Sequence, residues 1–291
     1  MKKTGFSSFF LLSILLIIIS CTRKDSSPSQ VEDLLLQSEK DAVFETVLNK
    51  ADDQINREIT KLESINYNTS TGKSGKTELC DAIITVEMPA TSKFPKTITL
   101  DFGNGCTDKE GNFRAGKIIV HISGPYWEKN TERHADLVDY RYNDLKIAGE
   151  RTVINKGLNI DGYVIFELKN TELIGNSNGG LLVERKIERT RICNRGANHF
   201  LYDDNEVWIT GRSLIKKNGK EIIQEITIPL YRKITCQHFQ SGVIATFIKN
   251  EKVSELNYGN GECDDNATWT NGTITKEITL NTWINLYSVN P

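Results

Sequence analysis

From Lys117 onward, apolar side chains return at every second position, and this period limits what the chain can fold into. Ile118, Val120 and Ile122 form one such run, followed by Val138, Tyr140 and Tyr142, then Val164, Phe166 and Leu168. Ile222, Ile226, Ile228 and Leu230 form a fourth, with Gln224 as the exception. A period of two turns one face of a strand inward. Between the runs stand Asn143-Asp144, Asp161-Gly162, Asn218-Gly219 and Asn271-Gly272, dipeptides suited to tight hairpin turns. Strands joined by short turns pair antiparallel, and the pattern predicts on the order of twelve. The stretch from Leu181 to Ile192 exceeds an ordinary strand. The expected fold is mainly β: a long antiparallel meander forming a curved sheet, a sandwich or a partly open barrel.

One amphipathic helix is expected before it, over 31–66. Phe44, Leu48, Ala51, Ile55, Ile59 and Leu62 recur at three- and four-residue steps with charged residues between them, and no Pro or Gly interrupts. A single apolar stripe calls for a single surface, so the helix should lie on the β domain; a coiled-coil dimer is the alternative. Residues 67–78 read as a polar linker, and the β domain as 79–291.

The N-terminus reads as an address. Lys2 and Lys3 precede an apolar run from Phe9 to Ile19, too short for a membrane span and suited to a signal peptide over 1–20. Ile18-Ile19-Ser20-Cys21 resembles the lipobox of bacterial lipoproteins, which implies cleavage before Cys21, acylation of that residue and anchorage in the outer membrane. The sequence does not say whether the domain faces the periplasm or the cell surface. Residues 21–30, polar and Ser-rich, read as the tether.

Of the six cysteines, Cys80, Cys106, Cys193, Cys236 and Cys263 are left after Cys21. Asp101-Phe102-Gly103-Asn104-Gly105-Cys106 is echoed by Asn257-Tyr258-Gly259-Asn260-Gly261-Glu262-Cys263. Each is followed by an acidic turn, a glycine and a β-branched run. The echo predicts two related units, about 80–123 and 236–280, each built as strand, strand, Gly-rich turn, strand. Disulfides Cys80–Cys106 and Cys236–Cys263 would staple them, leaving Cys193 to pack as a small apolar residue.

No motif carries a reaction. Lys+Arg 36 against Asp+Glu 38 gives no reason to expect nucleic acid. His121, His134, His199 and His238 lie in no metal-ligand spacing, no nucleophile elbow is present, and no cofactor is expected. Asp108, Glu110 and Asn112 have calcium-loop spacing without its twelfth-position Glu, and turn chemistry accounts for them. The paired carboxylates Asp203-Asp204 and Asp264-Asp265 likewise suit solvated turns. The alternation Arg185, Arg189, Arg191 puts three guanidinium groups on one strand face, with Arg212 on the expected neighbour. These four form a candidate anion-binding strip, against the plainer reading of a solvated, ion-paired face. Trp127, Trp208, Trp269 and Trp283 are core residues or sugar-stacking surfaces, and exposure decides between them.

Thr97 to Cys106, Asp108, Gly111, Arg114 and Gly116 to Val120, with the later echo and Arg189-Thr190-Arg191, resemble a group of uncharacterised bacterial outer-membrane lipoproteins. The resemblance implies a shared architecture and no particular activity. The expectation is therefore a lipid-anchored envelope β protein, a non-enzymatic binding or structural module. Its partners are the membrane, through the lipid, and an envelope glycan, lipid or protein ligand. A carrier with an apolar concave sheet and a glycan-active enzyme are the two alternatives.

Overall fold

The computed structural model describes residues 28–64, 75–76, 82–108, 111–176, 180–196, 202–217 and 219–280. It opens with helix α1, Pro28–Ser64, which begins at Pro28 rather than Val31 because proline is well suited to the first helical turn. Positions 65 and 66 of the expected helix, and most of the expected linker, lie outside the described residues. The first strands are β1 (Gly75–Lys76), β2 (Ile83–Glu87), β3 (Lys96–Asp101), β4 (Cys106–Thr107) and β5 (Phe113–Ile122). Four long ones follow: β6 (Glu132–Tyr142), β7 (Leu145–Leu158), β8 (Val164–Asn176) and β9 (Leu181–Asn194). The path ends with β10 (Glu206–Lys217), β11 (Lys220–Lys233), β12 (Ser241–Ile248), β13 (Glu251–Asn260), β14 (Asn266–Thr270) and β15 (Thr275–Thr279).

All fifteen belong to one sheet, and each strand pairs antiparallel with its sequence neighbour except around β4, which pairs only with β5 while β3 pairs with β5. The meander is thus as expected, with more strands because β1 and β4 are only two residues long. Among the described residues no pairing joins β15 to β1, and the sheet is not closed.

Two bulges move residues off the face that simple alternation assigns them. Between β5 and β6 the register shifts at Gly116, whose φ of 80° faces Asp139 at φ 49°. A Cβ on Gly116 would sit 2.3 Å from the Asp139 carbonyl oxygen, so only glycine fits the crossing. Leu137, Tyr140 and Tyr142 therefore point inward, whereas Val138, expected beside them, is 42% exposed. In β11 a shift between Ile226 and Ile228 turns Ile228 outward, also contrary to the alternation, while Gln224 is buried with the inward isoleucines.

The helix is not laid on one side of the sheet; the sheet is wrapped around it. From Ala42 to Thr60 nearly every α1 residue is buried, polar ones included. Phe44, Val47, Leu48, Ile55 and Ile59 join the inward residues of β2 to β11 in one core, and Val31 and Ala42 join a second with Leu230, Leu256 and Trp269. At about 1.5 Å per residue the helix is about 55 Å long, so strands of up to fourteen residues are needed to cover it. From Ala42 to Thr60 no face is left for the second helix of a coiled coil.

Candidate functional site

Strand β9 places the arginine alternation on one face, as its spacing predicts, but that face is turned inward and is neither solvated nor empty. Arg185, Arg189 and Arg191 are 0%, 9% and 5% exposed. The anion they meet is the chain's own Glu45, on α1. Arg185 donates to Glu45 Oε1, and Arg189 donates to both Glu45 oxygens at 2.7 Å and to Ser213 Oγ at 3.1 Å. Arg191 donates to the Tyr126 hydroxyl at 2.7 Å and lies over the Phe166 ring. Arg212 belongs to the other face of the sheet, exposed, 3.4 Å from Glu188.

The strip is one part of a larger ionic layer. Arg151 donates to Asp52 at 3.1 Å and to the Leu48 carbonyl at 3.2 Å, and lies 3.1 Å from Glu172. Arg133 reaches Asp52 and Asn56, and Arg232 grips both oxygens of Asp53 at 2.9 and 2.7 Å. Burial alone would push the carboxyls of Glu45 and Asp52 up, but the facing guanidinium groups outweigh it and hold both below their ordinary values. At Asp41, which also accepts from the Gln224 amide, burial wins over Arg185, the Gln37 amide and Lys217, and the carboxyl is raised to about 6. A sequence signal for these partners exists: Asp41, Glu45, Asp52 and Asn56 recur at four- and seven-residue steps, a polar stripe within the helix.

A polar cleft of about 350 Å³ opens beside α1, between the β4–β5 region and the connection from β11 to β12. Lys50, Asp53 and Arg57 of the helix meet Asp108 and Arg114 of the first unit and Cys236 of the second. Its carboxylates are engaged: Asp203 with Arg57 at 2.6 Å, Asp53 with Arg232, and Asp108 with Arg114 at 3.5 Å. Asp108 also accepts from the Asn112 backbone N–H at 2.8 Å, which is turn chemistry. Glu110 lies outside the described residues. Asp264 holds its own turn by accepting from the Asn266 N–H. Among the described residues no group of His, Cys, Asp and Glu is arranged to hold a metal.

Exposure separates the tryptophans. Trp269 is fully buried and donates to Ser38 Oγ at 3.0 Å, and Trp127 packs on Tyr126 and Phe166. Trp283 lies outside the described residues. Trp208 points away from the helix, between the buried Val207 and Ile209. It stacks on Tyr163 with ring centres 5.8 Å apart and planes within 3°, and its cross-strand partner Tyr231 lies at 5.2 Å.

Cys236 and Cys263 form a disulfide with Cα atoms 5.7 Å apart. Cys106 is also disulfide-bonded. Cys193 is free and buried, and burial raises its thiol to about 11, so it is a packed side chain and a poor nucleophile. Cys21 and Cys80 lie outside the described residues. Comparison with protein-family models, curated proteins and solved structures finds no match for the chain.

Proposed function

We propose that the chain is an outer-membrane lipoprotein, acylated at Cys21, whose β domain serves as a non-enzymatic binding or structural module of the cell envelope. The signal-like start and the cysteine after Ile18-Ile19-Ser20 support the anchor. No helix among the described residues is long and apolar enough to cross a membrane.

The observation that carries the module reading is the filled concave face. A carrier needs an apolar hollow, but here α1 occupies that space and is locked there by guanidinium–carboxylate pairs. The internal cavities against Glu45 have volumes of about 10 and 30 Å³, room for water and not for an acyl chain. The pairing of the cleft carboxylates with arginines speaks against general acid–base catalysis, which needs a group free to exchange its proton.

Two measurements test the reading. Mass spectrometry of the mature N-terminus should show acylated Cys21, and Cys21→Ala should release the protein from the membrane fraction; an unmodified Cys21 overturns the anchor. A fluorescent fatty acid should show no saturable uptake; stoichiometric uptake would make the protein a carrier.

A further inference from the structure

We infer that the row Tyr163–Trp208–Tyr231 on the outer face of the sheet is a saccharide-binding platform, recognising a β-linked pyranose chain. This rests on the reading of the chain as a binding module and names its ligand class.

Two rings come from strands β10 and β11 and the third from the turn just before β8, and none is needed by the core. Each neighbours residues that fill the interior: Val164 after Tyr163, Val207 and Ile209 around Trp208, Leu230 and Arg232 around Tyr231. All three rings are partly exposed on the face opposite the helix. The row is also held in place. Tyr163 sits in a turn fixed by Asn159, whose side-chain oxygen accepts from the Asp161 N–H at 3.0 Å and the Tyr163 N–H at 2.8 Å. Trp208 and Tyr231 are direct register partners in β10 and β11. Aromatic rings preset in this way lose little freedom on binding.

Hydrogen-bonding groups line both sides of the row. On one side Glu206 pairs across the sheet with Asn194 and with Lys233. Its carboxylate accepts from the Tyr231 hydroxyl at 3.1 Å and from Asn194 Nδ2 at 3.3 Å, with the Lys233 ammonium at 3.9 Å. On the other side Thr190 and Thr210 are register partners. This combination matches one ligand chemistry. A pyranose with equatorial substituents offers a flat C–H face to the negative face of an aromatic ring, and hydroxyls around its rim to donors and acceptors. The opposite charges of Glu206 and Lys233 compensate each other, which favours a neutral chain over an anionic one. An acyl chain would leave both polar rows unused.

The test is isothermal titration calorimetry of the mature chain with cellohexaose and with N-acetylchitohexaose, both β-1,4-linked. At least one should bind with a dissociation constant in the millimolar range or tighter. Trp208→Ala should weaken it at least about tenfold, and Glu206→Gln severalfold, with unchanged circular dichroism. Should Trp208→Ala fail to fold, Tyr163→Ala, at the end of the row, carries the test with the same expected loss. The inference is overturned if neither sugar binds the folded protein at millimolar concentration, or if the folded variants bind like the parent. It is also overturned if lipid vesicles alone lose binding in Trp208→Ala. Absent sugar binding with Cys21 acylated sinks only the platform, whereas sugar binding accompanied by new reducing ends sinks the non-enzymatic reading and leaves the site.

Discussion

Glu45 lies on a helix and the two arginines that bind it lie on one strand, separated from it by 140 and 144 positions in sequence. Removing one partner of such a buried group strands the others in a low-dielectric interior. Glu45→Gln should therefore destabilise by about 3–5 kcal/mol, measured by urea unfolding at neutral pH. The pH dependence follows from the direction of the shift. The folded-state pKa of Glu45 is lowered from 4.5, so its contribution is complete above about 4.5 and is lost as pH falls through the folded value. The stability difference between parent and Glu45→Gln should shrink as pH falls below that point; a constant difference down to pH 3 would assign the loss to packing rather than charge. The arginine alternation was legible from spacing alone. What it faced was not, because the partner is fixed by the path of the sheet around the helix, which no local pattern encodes.

The glycines show why the repeated element was legible. Gly103 and Gly105, and their counterparts Gly259 and Gly261, all have positive φ, a backbone that other residues adopt only with strain. Both units run as strand, strand, turn, strand, through β2, β3 and β5 in one and β12, β13 and β14 in the other. The β-branched runs that follow part company. Residues 117–122 pair back on β3, whereas 275–279 form β15 against β14. Sequence likeness across Gly116 and Gly272 therefore outlasts structural likeness, since a run of Ile and Thr satisfies any strand. The disulfide belongs to the part the units share. Cys236→Ser or Cys263→Ser should cost about 2–5 kcal/mol, and Cys193→Ser much less. Non-reducing peptide mapping should recover Cys80 joined to Cys106; a peptide joining Cys193 to any cysteine would refute the pairing. Alternation misled at Val138 and Ile228 because a bulge adds one residue to one strand and reverses every face beyond it.

For the molecule as a whole, the helix is the interior rather than a cover. Its apolar positions were counted from the sequence as one stripe, which implies one contact surface. The polar residues between them are nonetheless buried too: Gln54 and Asn56 are 0% exposed and Asp52 and Asp53 at most 9%. Asp52, Asp53 and Asn56 are matched on the surrounding strands by Arg133, Arg151 and Arg232, whereas the buried Gln54 amide has no hydrogen-bond partner among the described residues. A sheet curved this far, with inward Ile84, Leu100, Val120, Phe166 and Ile215, has no other material among the described residues to fill its hollow. Its inward arginines would likewise lose their carboxylates. A chain lacking residues 28–64 should therefore not reach the native state. Near-UV circular dichroism should be lost, a hydrophobic dye should bind strongly, and thermal unfolding should lose its cooperative transition. A shortened chain that melts cooperatively within a few degrees of the parent would show instead that the sheet holds its shape unaided. In that case the hollow would be a real cavity whenever the helix leaves it, and the carrier reading would regain its physical basis.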